Sequence, residues 1–554
     1  MSRLITECIR ESIKSVLHQL YPECPAAVPF TVDQTRERKH GDYATNLAFI
    51  LSKKLRKPPQ EIAEELLEAL TSVFRGQAQL EVAGKGFINV FLEDVFLEPF
   101  LEEVLQEGDE YGTIAIGNGE RVQVEFVSVN PTGPLHVGHG KCAAFGDSLA
   151  KILKRAGYTV EKEYYINDAG KQIDVLGLSL EARYRELLGK QAEIPSGGYY
   201  GEYLIGVARM LREERGDTLL EMEERDRNAF FRQYAVDKIL LSIRGDLEDF
   251  RVTFDHWFSE RTLYENGEVE GALDRLRDQQ HTFEKDGALW LETTRWGDDK
   301  DRVLVRENGS PTYFTSDIAY HWNKWKRGFQ RVIDVWGADH HGYIPRMRAS
   351  MHALGLPENF LEIYIVQFVT LLRKGQPERM STRQGEFIPL RNLIDEVGTD
   401  VARYYFLMRD PATHLEFDIE EAKKHSMDNP VYYVQYAHAR IASVFREARK
   451  MGLDPERPLK TRYVFHGERE KELVKKAVYF PEIVRKSAQQ GQPYLICNYL
   501  HDLAGAFHAF YNHHRILDQS EPERTAMRLR YCLAIRSVLR NGLSLLGITA
   551  PQTM

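Results

Sequence analysis

Residues 121–140 read RVQVEFVSVNPTGPLHVGHG. β-Branched residues dominate 121–129, which predicts a strand over that span. The run Asn130-Pro131-Thr132-Gly133-Pro134 breaks it, and the apolar spacing beyond predicts a helix over 137–156. A second β-branched run, 159–166, comes directly after. Strand, helix and strand at this spacing form a βαβ unit, which implies a parallel sheet with ligands gathered at the carboxyl ends of its strands. His136 and His139 stand where strand gives way to helix, and Gly133 and Gly138 leave room for something to approach the backbone. A helix N-terminus offers N–H groups and a positive dipole end, an address for phosphate. Two imidazoles three residues apart can donate to oxygens that gain charge as a phosphorus centre is attacked. A metal site with Cys142, or plain core histidines, are the other readings of this spacing taken alone.

Working outward, the strand pattern returns at 331–336, followed by a helix, and again at 362–369. The charged stretch 197–287 between the two halves reads as an insertion built mainly of helices. Upstream, helices are expected over 4–20, 42–55, 61–73 and 92–105, with short strands at 79–82 and 87–91, which together suggest an α+β domain. Beyond 394 the periodicity is helical almost to the end. The expected boundaries are 1–115, 116–390 with the insertion, a connecting helical segment 391–424, and an all-helical 425–554.

With 554 residues, 43% hydrophobic and 28% charged, the chain is too long for one core and too apolar for disorder. No stretch approaches the roughly 20 apolar residues of a membrane span, and the charged start lacks a signal-peptide core, so a cytoplasmic protein is expected. Five scattered cysteines without a C-x-x-C pair argue against a disulfide scaffold and a zinc ribbon. The net charge of -9 hides an asymmetry: 425–554 carries 19 Lys+Arg against 12 Asp+Glu, the remainder 54 against 70. A basic end on an acidic body admits a nucleic-acid partner.

Other residues carry chemistry of their own. Glu125 lies in an otherwise apolar strand, where an unpaired carboxylate costs several kcal/mol, so it is expected to face the cleft and await a cation, a structural salt bridge being the alternative. Tyr313 and Asp317 are one helical turn apart, so a phenol and a carboxylate share a face suited to a planar guanidinium. Gly337 and Asp339 follow a strand end, where glycine permits close approach and a carboxylate can accept from ribose hydroxyls or cap a helix. Aromatic and basic residues interleave near the end, among them Tyr432, Tyr433, Tyr436, Arg440, Phe507, Phe510, Tyr511 and Arg515. Cations hold phosphates and exposed rings stack on unpaired bases, although half or more of these rings are expected to be core.

The segment 129–139, VNPTGPLHVGH, resembles the first signature of class I aminoacyl-tRNA synthetases in the form found in arginyl-tRNA synthetases. So do EYYINDAG (163–170), VWGADHH (335–341), NPVYYVQYAHAR (429–440) and the close from 541, while HGDYATN (40–46) is similar to the N-terminal domain peculiar to that family. The resemblance implies an α/β Rossmann-type catalytic domain with a helical insertion, an α+β N-terminal domain at the tRNA elbow, and an all-α anticodon-binding domain. It implies activation of L-arginine by ATP with Mg2+ and transfer to tRNA(Arg), activation requiring bound tRNA. No structural zinc, no membrane and a monomer are expected. Glu125, Tyr313 and Asp317 would hold the arginine side chain, Ser128 and Asn130 its amino group, with His136 beside them. His136, His139 and Gly138 would meet the nucleotide, as would Gly337, Asp339 and Met380. The second signature aligns with Arg379-Met380-Ser381-Thr382-Arg383. Thr382 stands where the family places a lysine on the pyrophosphate, so Arg383, or else Arg379, is the expected phosphate contact, with Arg379, Ser381 and Arg383 expected among the catalytic residues, in a loop kept positive by nearby Arg373 and Lys374. Asn46, Tyr433, Tyr436 and Arg440 are the expected tRNA contacts. Small coenzyme adenylyltransferases also pair two histidines, but they are short and lack a basic helical extension. A non-catalytic RNA-binding relative is favoured only by the altered second signature.

Overall fold

The computed structural model describes residues 1–25, 28–35, 37–168, 170–378, 388–459 and 462–554. They divide into two compact units: Met1–Ile116 with Ser426–Leu545 and Thr549–Met554, and Gly117–His425 with Leu546–Ile548.

The second unit is built on five parallel strands. In chain order, β1 (Arg121–Glu125) leads through helix α1 (Val137–Arg155) to β2 (Thr159–Ile166), then come β3 (His256–Ser259), helix α2 (Tyr313–Lys326), β4 (Arg331–Gly337) and β5 (Leu361–Val366). The sheet order is β5-β4-β1-β2-β3, every neighbouring pair parallel. From β1 the chain runs outward through β2 to β3, then returns to lay β4 against the other side of β1. That reversal opens a crevice at the carboxyl ends of β1 and β4, where open α/β sheets bind ligands.

The stretch 197–287 is mainly helical, as expected, but strand pairing adds elements to it and to the segment beyond 394. The stretch 197–287 supplies helices Glu202–Arg215 and Glu224–Asp249, but also edge strand β3 and the start of a three-stranded antiparallel sheet, Thr282–Lys285, Ala288–Leu291 and Arg302–Val305. Four residues, HWFS, carry too little pattern to be read as a strand alone; pairing with β2 makes them one. Likewise Leu415–Asp418, within the segment expected to be helical, pairs in parallel with Val369–Arg373.

One face of the sheet is polar in the middle. Register places Asp334, Glu125, Glu163 and His256 side by side on β4, β1, β2 and β3. Like charges opposite one another destabilise a sheet. Helix α2 lies over this row and answers it: Lys324 Nζ donates to Glu125 Oε2 (2.6 Å) and Asp334 Oδ1 (3.0 Å), His321 Nε2 meets Asp334 (2.9 Å), and Tyr320 donates to Glu163 (2.6 Å). The apolar side of α2, with Phe314 and Ile318, packs into a core with Met347, Met351 and Phe360.

In the first unit, an antiparallel sheet in the order Val32–Gln34, Tyr43–Thr45, Phe87–Leu92, Ala78–Ala83 is flanked by helices Ile5–Leu20 and Pro59–Val73. The helix expected over 42–55 begins only at Leu47, because Tyr43–Thr45 is drawn into pairing with Phe87–Leu92. The remainder is helical: Pro430–Lys450, Glu468–Val478, Phe480–Gln490, Tyr494–His513 and Pro522–Leu545. No helix of the described residues is long and apolar enough to cross a membrane.

Candidate active site

The crevice between β1 and β4 holds a cavity of about 920 Å³, lined by residues of both strand ends and of the N-terminus of α1. Strand β1 stops at Glu125, short of the expected 129, because Val127 (φ 68°) and Ser128 (φ 42°) turn into the left-handed region. That conformation is costly for a β-branched residue and persists only where surroundings impose it. Here the Tyr164 hydroxyl donates to the Val129 carbonyl (2.9 Å) and accepts from its N–H (3.1 Å), while Ser128 Oγ accepts from the Tyr165 N–H (3.1 Å). The turn aims the loop containing Asn130 across the cavity mouth, where Asn130 Nδ2 donates to Gln172 (2.8 Å).

His136 and His139 cap α1 reciprocally. His136 Nδ1 accepts from the Gly138 N–H (3.1 Å), and His139 Nδ1 accepts from the His136 N–H (3.2 Å), the two rings stacked. An Nδ1 that accepts leaves Nε2 as the protonated nitrogen of a neutral ring. Burial holds both rings neutral, His136 down to about 4 and His139 to about 3. Both line the cavity as hydrogen-bond donors. Gly138 favours this arrangement, since a Cβ there would stand 3.0 Å from the His136 ring and press on it.

At the other end lie carboxyl groups. Glu125 lines the cavity but does not wait for a cation: Lys324 holds it from below, and burial raises its carboxyl above the usual range. The salt-bridge alternative is therefore what the structure contains. Asp317 accepts from the Tyr343 hydroxyl (2.5 Å), and burial pushes it up to about 6. Tyr313, the first residue of α2, is 61% exposed and off the cavity wall, so the phenol beside Asp317 is that of Tyr343. Glu260, buried at the end of β3, is raised to about 7 by burial and by the charges of Asp317 and Asp168. It escaped the sequence reading because it follows the four-residue strand inside the supposed insertion, with no local pattern to mark it. Gly337 and Asp339 line the β4 side, and a Cβ on Gly337 would come within 2.6 Å of Asp339 Oδ1.

The second-signature residues Arg379, Met380, Ser381, Thr382 and Arg383 lie outside the described residues. Arg373, counted toward that loop's positive charge, is instead engaged by Glu378 (2.9 Å), Glu396 (2.8 Å) and Glu420 (3.1 Å).

In the other unit, Tyr436 and Arg440 border a cavity of about 680 Å³ with Tyr511, His514 and Arg515. The Arg440 guanidinium lies over the rings of Tyr436 (4.5 Å) and Tyr511 (4.6 Å), which keeps it flat and pre-oriented. Tyr433 is packed against His501 and His508, and Phe507 and Phe510 are buried, so much of the aromatic interleaving is core. Asn46 precedes helix Leu47–Leu55, its Oδ1 accepting from the Thr31 N–H (2.8 Å).

A parallel sheet with a ligand crevice at its reversal, two histidines capping the helix there, and a separate helical body define a class I aminoacyl-tRNA synthetase. Residues 100–426 match the family model described as tRNA synthetases class I (R), catalytic domain. Residues 7–92 match the arginyl tRNA synthetase N terminal domain, and 434–554 the DALR anticodon binding domain. The chain belongs to the arginyl-tRNA synthetase family. It is 45% identical to the arginine–tRNA ligase of Bacillus subtilis over 99% of both chains, and 48% identical to that of Citrifermentans bemidjiense over 96% of both. Its fold follows that of Thermus thermophilus arginyl-tRNA synthetase along the whole of both chains, with a TM-score of 0.75 at 24% identity.

Proposed function

We propose that this chain activates L-arginine with ATP and passes the arginyl group to the 3′-terminal ribose of tRNA(Arg). A carboxylate oxygen of arginine attacks the α-phosphorus in line, the bond to the bridging oxygen breaks, and pyrophosphate leaves with the electron pair. A ribose hydroxyl of the tRNA then attacks the carbonyl carbon of arginyl-adenylate, gives up its proton, and AMP departs. His136 and His139 donate from Nε2 to the α-phosphate oxygens as charge builds, each donor contributing about 3 kcal/mol to the transition state. Gly138, Gly337, Asp339 and Met380 receive the nucleotide, which brings Mg2+ as part of the substrate. Arg379, Ser381 and Arg383 receive the pyrophosphate. Ser128 and Asn130 take the amino group of arginine, and Asp317, beside the Tyr343 phenol, its side chain. The roles that the resemblance implies for Tyr313 and Glu125 are not carried over, since Tyr313 lies off the cavity wall and Lys324 already holds Glu125. Asn46 contacts the tRNA elbow, and Tyr433, Tyr436 and Arg440 the anticodon side. The enzyme works as a cytoplasmic monomer.

The observation that supports this reading best is that one cavity joins two neutral, donating imidazoles to the buried carboxyl group of Asp317, an anionic end suited to a guanidinium. The test is ATP–pyrophosphate exchange with each of the twenty amino acids, with and without bulk tRNA. Exchange with arginine alone, and only when tRNA is present, is expected. Folded protein that binds tRNA yet exchanges nothing would overturn the enzyme reading in favour of an RNA-binding relative.

A further inference from the structure

Lys141 lies on α1, half a turn past His139, and is 2% exposed. Its ammonium donates to three carbonyl oxygens, those of Gln367 (3.1 Å), Pro411 (3.2 Å) and Thr413 (2.9 Å). Three donors thus meet three acceptors, and the described residues place no carboxylate in ion-pair range. An ammonium held only by carbonyl dipoles costs stability, because no opposite charge offsets its lost hydration. Burial accordingly draws its pKa down to about 8 against the weaker opposing pull of Cys142 and Asp410. A methionine of the same length would fill this place without the charge but would leave the three carbonyls without this donor.

What the ammonium holds is the chain between two sheets. Strand β5 ends at Val366, and Val369 begins the strand that pairs with Leu415–Asp418 and then runs toward the second signature. The crossing, Gln367–Phe368–Val369, forms cavity wall, and Phe368 presents a ring 60% exposed. Two backbone bonds brace it, Gln367 N–H to Pro411 O (2.9 Å) and Leu415 N–H to Phe368 O (3.3 Å). Lys141 ties these same loops to the helix that carries both histidines. In the sheet order this wall belongs to β5, at the edge opposite β3 and Glu260, on the side of Gly337 and Asp339.

We propose that Lys141 is a positioning residue for the nucleotide: it fixes the Gln367–Val369 wall, and Phe368 upon it, against the histidine-bearing helix. The assignment of that side to ATP rests on the function proposed above. Misplacing a binding wall by about 1 Å costs between tenfold and a hundredfold in rate.

The test is steady-state pyrophosphate exchange on the full-length wild type, Lys141→Met, Lys141→Arg, Phe368→Ala and the double variant, alongside thermal unfolding. Lys141→Met is expected to lose about tenfold or more in kcat/KM for ATP while KM for arginine stays within about twofold. Lys141→Arg should not restore it, because a planar fork cannot address three carbonyls around one nitrogen. Phe368→Ala should share the signature, and the double variant should lose less than the two singles combined. Equal losses for ATP and arginine with a lowered midpoint would mean a merely structural lysine and overturn the proposal, as would unchanged ATP kinetics in Lys141→Met. Should Lys141→Met fail to fold, Phe368→Ala decides by itself, since normal ATP kinetics there would sink the proposal. A wild type that exchanges nothing with arginine overturns the functional reading, and this proposal with it.

Discussion

At the scale of single residues, the site separates its titrating groups. The two histidines stay neutral down to about 4 and about 3, whereas Asp317 and Glu260 titrate at about 6 and about 7. The acid limb of activity therefore belongs to the carboxyl groups. As pH falls below about 7 they gain protons and lose the charge that a guanidinium needs, so kcat/KM for arginine should fall between pH 8 and pH 5.5, measured by exchange kinetics. Stability runs the other way. Both acids have folded values above their ordinary 3.8 and 4.5, so their contribution is present below about pH 4 and is lost as pH rises through about 6 and about 7. Asp317→Asn should then raise the unfolding free energy of the ligand-free protein at pH 8 by on the order of 1–3 kcal/mol, with a higher midpoint, and not at pH 4. The same change should cut arginine kcat/KM about a hundredfold or more. A midpoint that drops at pH 8 would refute this account. His136 and His139 could be placed from sequence because the glycines and strand end around them are local; the partner of Glu125, eleven positions beyond Tyr313, could not.

Among elements, the decisive one is α2, whose polar face answers the carboxylate row across β4, β1 and β2. Lys324 is fully buried between Glu125 and Asp334. Breaking such a pair leaves charge uncompensated and costs about 3–5 kcal/mol. Lys324→Met should lower the urea midpoint accordingly, and adding Asp334→Asn should recover part of the loss; a Lys324→Met protein as stable as wild type would show that the row is not held this way. Element edges were less legible than elements. β2 ends where its sequence pattern does, but β1 is cut short at Glu125 by a turn that Tyr164 clamps from the neighbouring strand. A strand-forming sequence cannot announce a bend that another strand imposes.

On the scale of the whole molecule, each unit has one property open to test. In the catalytic unit, the buried Arg403 donates to Asp147 of α1 (2.7 Å) and to the carbonyls of Leu546 (2.8 Å) and Phe250 (3.0 Å). Gly547, at φ +68°, lies so close that a Cβ would stand 2.4 Å from the guanidinium. Gly547→Ala should therefore destabilise the protein by about 2–4 kcal/mol in thermal unfolding, through overpacking and backbone strain together. In the other unit, Arg440→Ala should weaken tRNA binding and reduce the slope of log affinity against log salt by about one, with KM for arginine unchanged. An unaltered slope in filter-binding titrations would remove Arg440 from the phosphate contacts.

The sequence by itself determined the parallel-sheet class, the βαβ unit with its histidine pair, the helical character of the final third and the family. Those features rest on local periodicity, strand and helix punctuation and contiguous motifs, all written along the chain. Only the tertiary structure decided that Lys324 neutralises Glu125, that Tyr343 stands beside Asp317, that Glu260 feels the charges of Asp317 and Asp168, and that Lys141 ties the cavity wall to α1. Each of these depends on strand register and on a helix laid across a sheet, which bring together groups between 10 and 272 positions apart. No local pattern encodes a partner at such a distance; burial does, because a charge removed from water must find one.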